Sequence, residues 1–419
     1  MKKLFIFVFL ALLTLICQAD MLQFQCDPRH TGVSDTVVIN SQPWYDSLAP
    51  IDIFSGPVTS NGFVIVPTGD SLWCLDANNG NVRWSRPGSF SGTPAIIGDR
   101  IFVIKAESLV CYNRAGNQLW SRGFPGQPYT PTVAGGYIFL ACGNQVYALD
   151  TVGNSLWASL ELARSIVPGS AVCCYDSFVV ATTVRGSMLE EPVLVYWLNK
   201  RTGLIAHLES YGYSLDENSS GSTLTVQDGR INFATFYDQA FPGWIRSVST
   251  NGEQVWELRN AAPNYYASAC AANGMVFWPG EGLRAYDTSG TRRWIANVGT
   301  VSYSSPIISG GMIWVGNDTG KLFGLDAVSG LIRQQFQCGS TALTSPATTS
   351  DGRLIICDVS GNVYCFGYNV AVIEELPRRT SSLKDGFYDI SGRRLSNPPR
   401  SGICFQVSGG KATKVVYSR

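Results

Sequence analysis

The chain has 419 residues, with 31 Lys plus Arg against 31 Asp plus Glu and so no formal net charge, and no global field draws it to nucleic acid or to an anionic membrane surface. Its 43 glycines and 12% aromatic residues, without long charged runs, suit many short strands joined by tight turns. The length fits either several ordinary domains or one large repeat domain.

The chain opens with Lys2 and Lys3, followed by the apolar run Leu4 to Ile16, too short to span a bilayer. Cys17-Gln18-Ala19 places small residues at the first and third positions of a cleavage site, so residues 1–19 are expected to be an export signal removed after Ala19. The alternative is a lipid on Cys17, although Ile16 stands where bacterial lipoprotein signals have a small residue. No later stretch is long and apolar enough to span a bilayer.

The body of the chain repeats one hairpin. Leu72-Trp73-Cys74-Leu75-Asp76 leads through Gly80 to Trp84; Val146 to Asp150 turns at Gly153 and reaches Trp157; Leu283 to Asp287 turns at Gly290 and reaches Trp294. Turn glycines fall at 80, 116, 153, 203, 252, 290 and 330, spaced by 36, 37, 50, 49, 38 and 40 residues. Four residues after each stand Trp84, Trp120, Trp157, His207, Trp256, Trp294 and Gln334. An all-strand repeat of this length predicts a β-propeller blade of four antiparallel strands. One unit shows the pattern, with inner strand Thr93 to Ile97, then Ile101 to Ile104, Leu109 to Tyr112, and an outer strand ending at Trp120. A single such sheet cannot bury both faces, so the units must stack around an axis, with the recurrent indoles wedged between neighbours.

Seven units are complete. After Gln334, three strands (near Ala347, Leu354 to Cys357, and Val363 to Phe366) lack a fourth, and Thr36 to Ile39 with Trp44 precede the first unit without partners. Giving that early segment to the last unit as its outer strand removes two exposed edges. The fold class is therefore all-β: an eight-bladed propeller over residues 20–369, closed by an N-terminal strand, then a linker at 370–383 and a short β tail at 384–419.

Twelve cysteines in an exported chain invite disulfides. Their positions argue otherwise. Two residues before the hairpin Asp stand Cys74, Cys111, Ala148, Ala285 and Gly324, with Cys365 near the end, a slot for a small residue in which Cys acts as a small hydrophobe. Most are expected to be buried free thiols.

Units four and five are about ten residues longer than the rest, a length typical of an added loop. The surplus falls at 184–192 and 237–244, between second and third strands, and the connections at 211–220 and 260–266 are long as well. Such loops share one face of a propeller. They carry Tyr211, Tyr213, Tyr237, Phe241, Trp244, Tyr265 and Tyr266, an expected binding rim for a protein or glycan. The plainer alternative is that these rings cover the loops' own small core.

The Asp-x-x-x-Gly-x-x-x-Trp hairpin resembles the tryptophan-docking repeat of quinoprotein-like propellers. That group includes pyrroloquinoline-quinone (PQQ) alcohol dehydrogenases and the outer-membrane assembly lipoprotein of the Bam complex. Phe24 to Gly32 is similar to the opening of bacterial proteins with these repeats. The resemblance is specific for fold and poor evidence for chemistry. It implies structural docking roles for Trp84, Trp120, Trp157, Trp256 and Trp294.

After the linker, Phe387-Tyr388-Asp389-Ile390-Ser391-Gly392-Arg393, then Ser401-Gly402-Ile403, then Lys411 to Val416 form three short strands with basic turns. This resembles the end of the C-terminal sorting domain of type IX secretion cargo, with Tyr388, Asp389, Gly392, Arg393, Gly402 and Lys414 on its motif. Cys404 departs from the motif's Tyr, and the first half of the domain is missing. The resemblance implies the type IX machinery as a partner, and an extracellular or cell-surface location in a Gram-negative-type bacterium. A periplasmic or outer-membrane location is the alternative, and a β appendage packed on the propeller is the plainer reading of the tail.

Signals for catalysis are sparse. Cys173-Cys174 is the one feature that suggests a quinone enzyme, because some PQQ dehydrogenases pack a vicinal disulfide on the cofactor. Cys270, however, fills the place of Cys173 in another unit, and no Glu, Asn and Asp set aligns as a Ca²⁺ site. His30 and His207 have no evident partners, no Cys/His spacing suggests zinc, and the Asp318 and Asp358 segments read as hairpin turns. No cofactor, metal or catalytic residue is expected. The leading expectation is a secreted or surface-displayed binding propeller, followed by an assembly scaffold like the Bam lipoprotein, with a PQQ-dependent dehydrogenase third.

Overall fold

A computed structural model describes residues 20–34, 37, 39, 41–166, 170–183, 193–211, 223–235, 243–259, 266–367, 386–388, 394–395, 397, 402–408 and 411–417. The chain divides into two compact units, 1–368 and 369–419.

The described regular structure is all strand. In the first unit eight antiparallel sheets follow one another as blades 1 to 8, over 58–87, 90–123, 132–158, 173–211, 225–259, 270–300, 307–337 and 347–367. In blade 6 one strand, Met275–Asp287, takes both middle positions, pairing with Cys270–Ala272 through its start and with Arg292–Thr300 through its end. The strand lost from blade 8 is supplied by the N-terminal segment. Ser41–Ser47 lies antiparallel to Asn362–Gly367, with Trp44 opposite Cys365. The closing strand thus begins later than the expected Thr36 to Ile39. Val37 and Ile39 are instead buried in a core with Trp314 and Leu322 of blade 7.

Docking of the indoles explains the repeat. Within each sheet Trp44, Trp84, Trp120, Trp157, Trp256 and Trp294 stand opposite Cys365, Cys74, Cys111, Ala148, Ser247 and Ala285. A small residue opposite lets the ring lie flat and reach the next blade. There it covers the turn glycine. Gly203 has a φ of +71°, and a Cβ on it would sit 2.4 Å from Trp157 Cε3, so both backbone and space demand glycine. The Trp44, Trp84, Trp120, Trp157 and Trp294 indole N–H groups donate to turn carbonyls of the following blade at 2.9, 2.9, 3.3, 3.1 and 3.2 Å. Trp44 belongs to this series, which binds blade 8 to blade 1.

Two blades conserve volume by exchange. Where Trp becomes His207, the small partner becomes Trp197, and the two rings lie 5.0 Å apart. Where it becomes Gln334, the partner is Gly324, and the space is taken by Trp314, 2.6 Å from where a Gly324 Cβ would stand. Gln334 Nε2 donates to Ile39 O at 2.9 Å, tying blade 7 to the closing segment.

Nine of the described cysteines are buried thiols outside any disulfide, and Cys26 is half-buried. Burial raises the Cys74 and Cys365 thiols to about 12, which keeps them protonated and unreactive.

The second unit is a four-stranded antiparallel sheet in the order Arg394–Leu395, Gly386–Tyr388, Gly402–Ser408, Lys411–Tyr417. Its short strand Arg394–Leu395 goes beyond the three expected. Gly402 pairs with Tyr417 and Lys414 with Phe405. Asp389, Gly392 and Arg393 lie outside the described residues.

Candidate functional site

The inner strands start in one common register, and three layers stack on the axis. The reference position holds Gly56, Thr93, Thr130, Ala171, Thr223, Ser268, Ser305 and Ser345 in blades 1 to 8. At five joints the backbone N–H of the preceding blade donates to the hydroxyl that the next blade offers here. Thr93 N meets Thr130 Oγ1 at 3.2 Å, Ala171 N meets Thr223 Oγ1 at 3.1 Å, and Thr223, Ser268 and Ser305 N meet Ser268, Ser305 and Ser345 Oγ at 2.9, 2.9 and 3.0 Å. The result is a belt of buried hydroxyls around the axis. Ala171 and Gly56 interrupt it, having no hydroxyl to accept.

Three residues further along each strand, roughly 10 Å at strand rise, the N-terminal segment forms a collar that touches all eight blades. Met21 N donates to Thr348 O at 3.1 Å. Thr59 and Ile96 N donate to Met21 and Leu22 O at 2.9 and 2.7 Å, and Val133 N donates to Gln23 Oε1 at 2.9 Å. Cys174, Val226, Ala271 and Ile308 N donate to Pro28, Arg29, Thr31 and Gly32 O at 2.7, 2.8, 2.8 and 2.7 Å. The segment then runs on as Val33–Ser34, parallel to the inner strand of blade 7. Each inner strand is a sheet edge, and the collar satisfies the polar groups it would otherwise leave buried and unpaired. His30, expected to lack partners, lies in the collar. Its Nδ1 is 3.3 Å from Leu224 O, and its Nε2 is 3.4 Å from Thr132 Oγ1. Complete burial lowers its pKa to about 4.

The outermost layer is the mouth. Two residues before the reference position, blades 1, 6 and 7 carry Phe54, Tyr266 and Tyr303. Tyr266 and Tyr303 stack at 5.7 Å and 7°, and Phe54 meets Tyr266 edge-on at 5.0 Å and 82°. Burial, with Asp318 nearby, raises the Tyr303 phenol above its ordinary range, so it stays neutral. Beside Phe54 opens a depression of about 390 Å³ lined by the connections into blades 1, 2 and 3, including Asp52, Ser89, Ser91, Gln127, Tyr129 and Thr130.

The seven expected rim residues fare differently. Tyr266 is on the mouth and 40% exposed. Trp244 is not on a loop. It begins the strand Trp244–Ser249, half-buried, with the Arg246 and Arg259 guanidinium groups 5.2 and 5.8 Å from its ring. Tyr211 is not a rim residue either. It ends the strand Ile205–Tyr211, is 5% exposed, packs on Phe233 and donates to Gly252 O at 2.6 Å. The repeat's pairing simply extends further along both strands than the spacing suggested. Tyr213, Tyr237, Phe241 and Tyr265 lie outside the described residues. Phe54, Tyr129 and Tyr303 were missed, although the shared register of Phe54, Tyr266 and Tyr303 is visible once the inner strands are aligned.

Cys173 and Cys174 are not joined by a vicinal disulfide. Both lie in a paired strand, opposite Val180 and Val179, where successive side chains point to opposite faces. Cys173 packs with Trp197 and Phe233, and Cys174 with Phe139 and Trp157. Asp358 bonds locally as a turn residue, whereas Asp318, also in a turn, bonds back to the connection into blade 7. Asp318 accepts from Ser302 N at 2.8 Å, and Asp358 accepts from Asn362 N and Nδ2 at 3.0 and 2.7 Å.

A family model described as "Outer membrane protein assembly factor BamB" matches residues 41–158, 68–277 and 195–384. The chain belongs to this family. No curated protein matches it. Among solved structures, BamB from Moraxella catarrhalis is similar at 16% identity and a TM-score of 0.61, over 79% of this chain and 98% of that one. Quinohemoprotein alcohol dehydrogenase from Comamonas testosteroni is similar at 14% identity and 0.66, over 88% and 83%. The computationally designed Ika8 protein is similar at 11% identity and 0.59, over 81% and 99%. At these identities the likeness shows the fold, shared by BamB, an oxidoreductase and a design alike.

The dehydrogenase likeness raises the question of whether the mouth fits PQQ, which carries three carboxylates and calls for cationic partners. Among the described residues the depression is lined by one carboxylate, Asp52, and no cation. The described lining of this depression does not fit the quinone.

Proposed function

We propose that the chain is an exported, non-catalytic binding scaffold of the cell envelope, presenting its aromatic mouth to a protein or glycan ligand. The build of the axis is the observation that supports this reading. Below the belt every blade is sealed onto the collar, so His30, the one titratable ring there, cannot meet a ligand. Above the belt, rings, neutral polar groups and the single carboxylate of Asp52 face an open depression. Such a surface can bind, and among the described lining residues no carboxylate is hydrogen-bonded to a histidine, lysine or tyrosine as an acid–base pair would be. The test is reconstitution with PQQ and Ca²⁺ in a dye-linked alcohol oxidation assay. No turnover is expected, and turnover dependent on both additions would replace the scaffold with an enzyme.

The family supports a second reading, a periplasmic or outer-membrane assembly scaffold that adds strand edges to partner proteins. In its favour, the outer strands carry exposed Val82, Leu119, Leu156, Val255, Ile295 and Ile332. Apolar side chains on exposed edges suit strand addition. The tail resembling type IX cargo favours the first reading, with passage across the outer membrane and the type IX machinery as partner. Mass spectrometry of both mature ends separates the two. Cleavage after Ala19 and loss of the tail favour secretion, whereas a lipid on Cys17 and a retained tail favour assembly.

A further inference from the structure

We infer that the mouth is a binding site for a neutral saccharide, which rests on the scaffold reading and names its ligand class. Phe54 joins the two halves of the site. It meets Tyr266 edge-on and also lines the depression. Tyr266 and Tyr303, stacked within 7° of parallel, form a ledge over the axis. A sugar ring has an apolar C–H face that lies on such rings and a hydroxyl rim that both donates and accepts.

The polar lining matches that rim. Gln127 Nε2 donates to Ser91 Oγ at 3.3 Å and Pro128 O at 3.2 Å, which turns its Oε1 into an acceptor for a ligand hydroxyl. Thr130 Oγ1 accepts from Thr93 N at 3.2 Å and keeps its own proton to donate. Asp52 Oδ1 accepts from Phe54 N at 3.1 Å, and Asp52 O accepts from Ser55 N at 2.8 Å, so the carboxylate stands fixed beside the ring. Preorganised groups of this kind lower the ordering cost of binding. The volume of about 390 Å³ lies within the range of roughly 300–1,000 Å³ usual for small-molecule sites.

Charge decides between ligand classes. An anionic ligand would face Asp52 with no cation lining the depression. A wholly apolar ligand would strip water from the hydroxyl and amide groups without replacing their bonds. A neutral, polyhydroxylated ring satisfies both constraints.

The experiment is calorimetric titration of the mature chain with cellotetraose, xylotetraose, maltotetraose and chitotetraose, with a heparin tetrasaccharide as the anionic control. At least one neutral tetramer is expected to bind saturably. Phe54→Ala and Tyr303→Ala should each weaken it about tenfold with the unfolding curve unchanged, and Asp52→Asn should weaken it less. Phe54→Leu and Tyr303→Leu, which keep bulk but lose the flat face, serve if the alanine variants fold poorly, with the same loss expected. Saturable binding by none of the four, binding that these variants retain, or preference for the heparin fragment overturns the inference. If displayed peptides bind the mouth and Tyr303→Ala abolishes that binding while no saccharide binds, the saccharide falls and the scaffold stands. Turnover with PQQ and Ca²⁺ would overturn both.

Discussion

The two rims of each blade are held by opposite means. At the periphery, six of the eight joints are made by an indole that covers a turn glycine, and five of those six indoles donate a hydrogen bond to the neighbouring turn. At the axis they meet through backbone amides, a hydroxyl belt and a collar bonded to every blade. The periphery is therefore modular, since one indole joins one pair of blades. The axis is collective, because a single segment touches all eight. A change at the edge should weaken one joint, whereas a change at the collar should be felt around the ring.

The largest expected effect follows from that asymmetry. Removing residues 20–50 takes away both the collar and the closing strand Ser41–Ser47. Eight inner edges lose partners, and blades 8 and 1 lose the Trp44 joint. The truncated chain should aggregate or unfold tens of degrees lower, given that each unpaired buried amide costs about 1–3 kcal/mol. Light scattering and calorimetry would show it. A monomeric truncation with unchanged melting would mean that the collar is ornamental and the indoles alone close the ring.

Next comes a single peripheral joint. Trp157→Ala should cost about 3–5 kcal/mol, as for other large buried rings. Trp→Phe substitutions sharpen the point. Trp157 donates to Lys200 O at 3.1 Å, whereas Trp256 Nε1 is buried without a partner. Trp157→Phe should therefore exceed Trp256→Phe by about 1 kcal/mol in denaturant midpoints. Equal costs would show that area alone matters at these joints.

The periphery was legible in the sequence and the axis was not, for a physical reason. Indole docking imposes residue types on the chain: Trp, a small partner opposite, and Gly in the neighbouring turn. These recur at fixed spacing, and even the exceptions compensate, as Trp197 does for His207. The collar instead meets Ile96, Cys174, Val226, Ala271 and Ile308 through their backbone N–H groups, which every residue but proline has, so although Phe24 to Gly32 stood out by resemblance, no residue pattern shows which strands it bonds. The mouth lay between these extremes. Loop length drew attention to Tyr211 and Trp244, which the strands absorb, while Phe54 and Tyr303 sat in short connections that only a register argument reveals.

His30 tests the axis by pH. Its ring is neutral when buried, with a pKa lowered from 6.5 to about 4. Between those values the unfolded chain takes up a proton that the folded chain refuses. Its contribution is therefore complete above about pH 6.5 and is lost as pH falls toward 4, by about 3 kcal/mol in all. Urea midpoints from pH 7.5 to 4.5 should fall more steeply for the wild type than for His30→Asn, and parallel slopes would remove His30 from the account. Carboxylates such as Asp287, lowered to about 2, act below this window.

The smallest effect probes the belt where it is broken. Ala171 occupies the reference position of blade 4, so the Thr130 N–H has no hydroxyl there to meet, although Ala171 N itself donates onward to Thr223 Oγ1 at 3.1 Å. Ala171→Ser adds one atom at a position that holds serine in three other blades, and should restore the missing link. The gain should be about 0.5–1.5 kcal/mol, the net worth of one such bond. Ser305→Ala should lose a similar or somewhat larger amount, because it leaves the Ser268 N–H buried without its acceptor. If Ala171→Ser destabilises while Ser305→Ala is neutral, the hydroxyls are fillers of space and the collar alone carries the axis. If the two move in opposite directions as stated, the belt is a bonded ring, and its breaks at Ala171 and Gly56 are places where the axis can be tightened without touching the indoles.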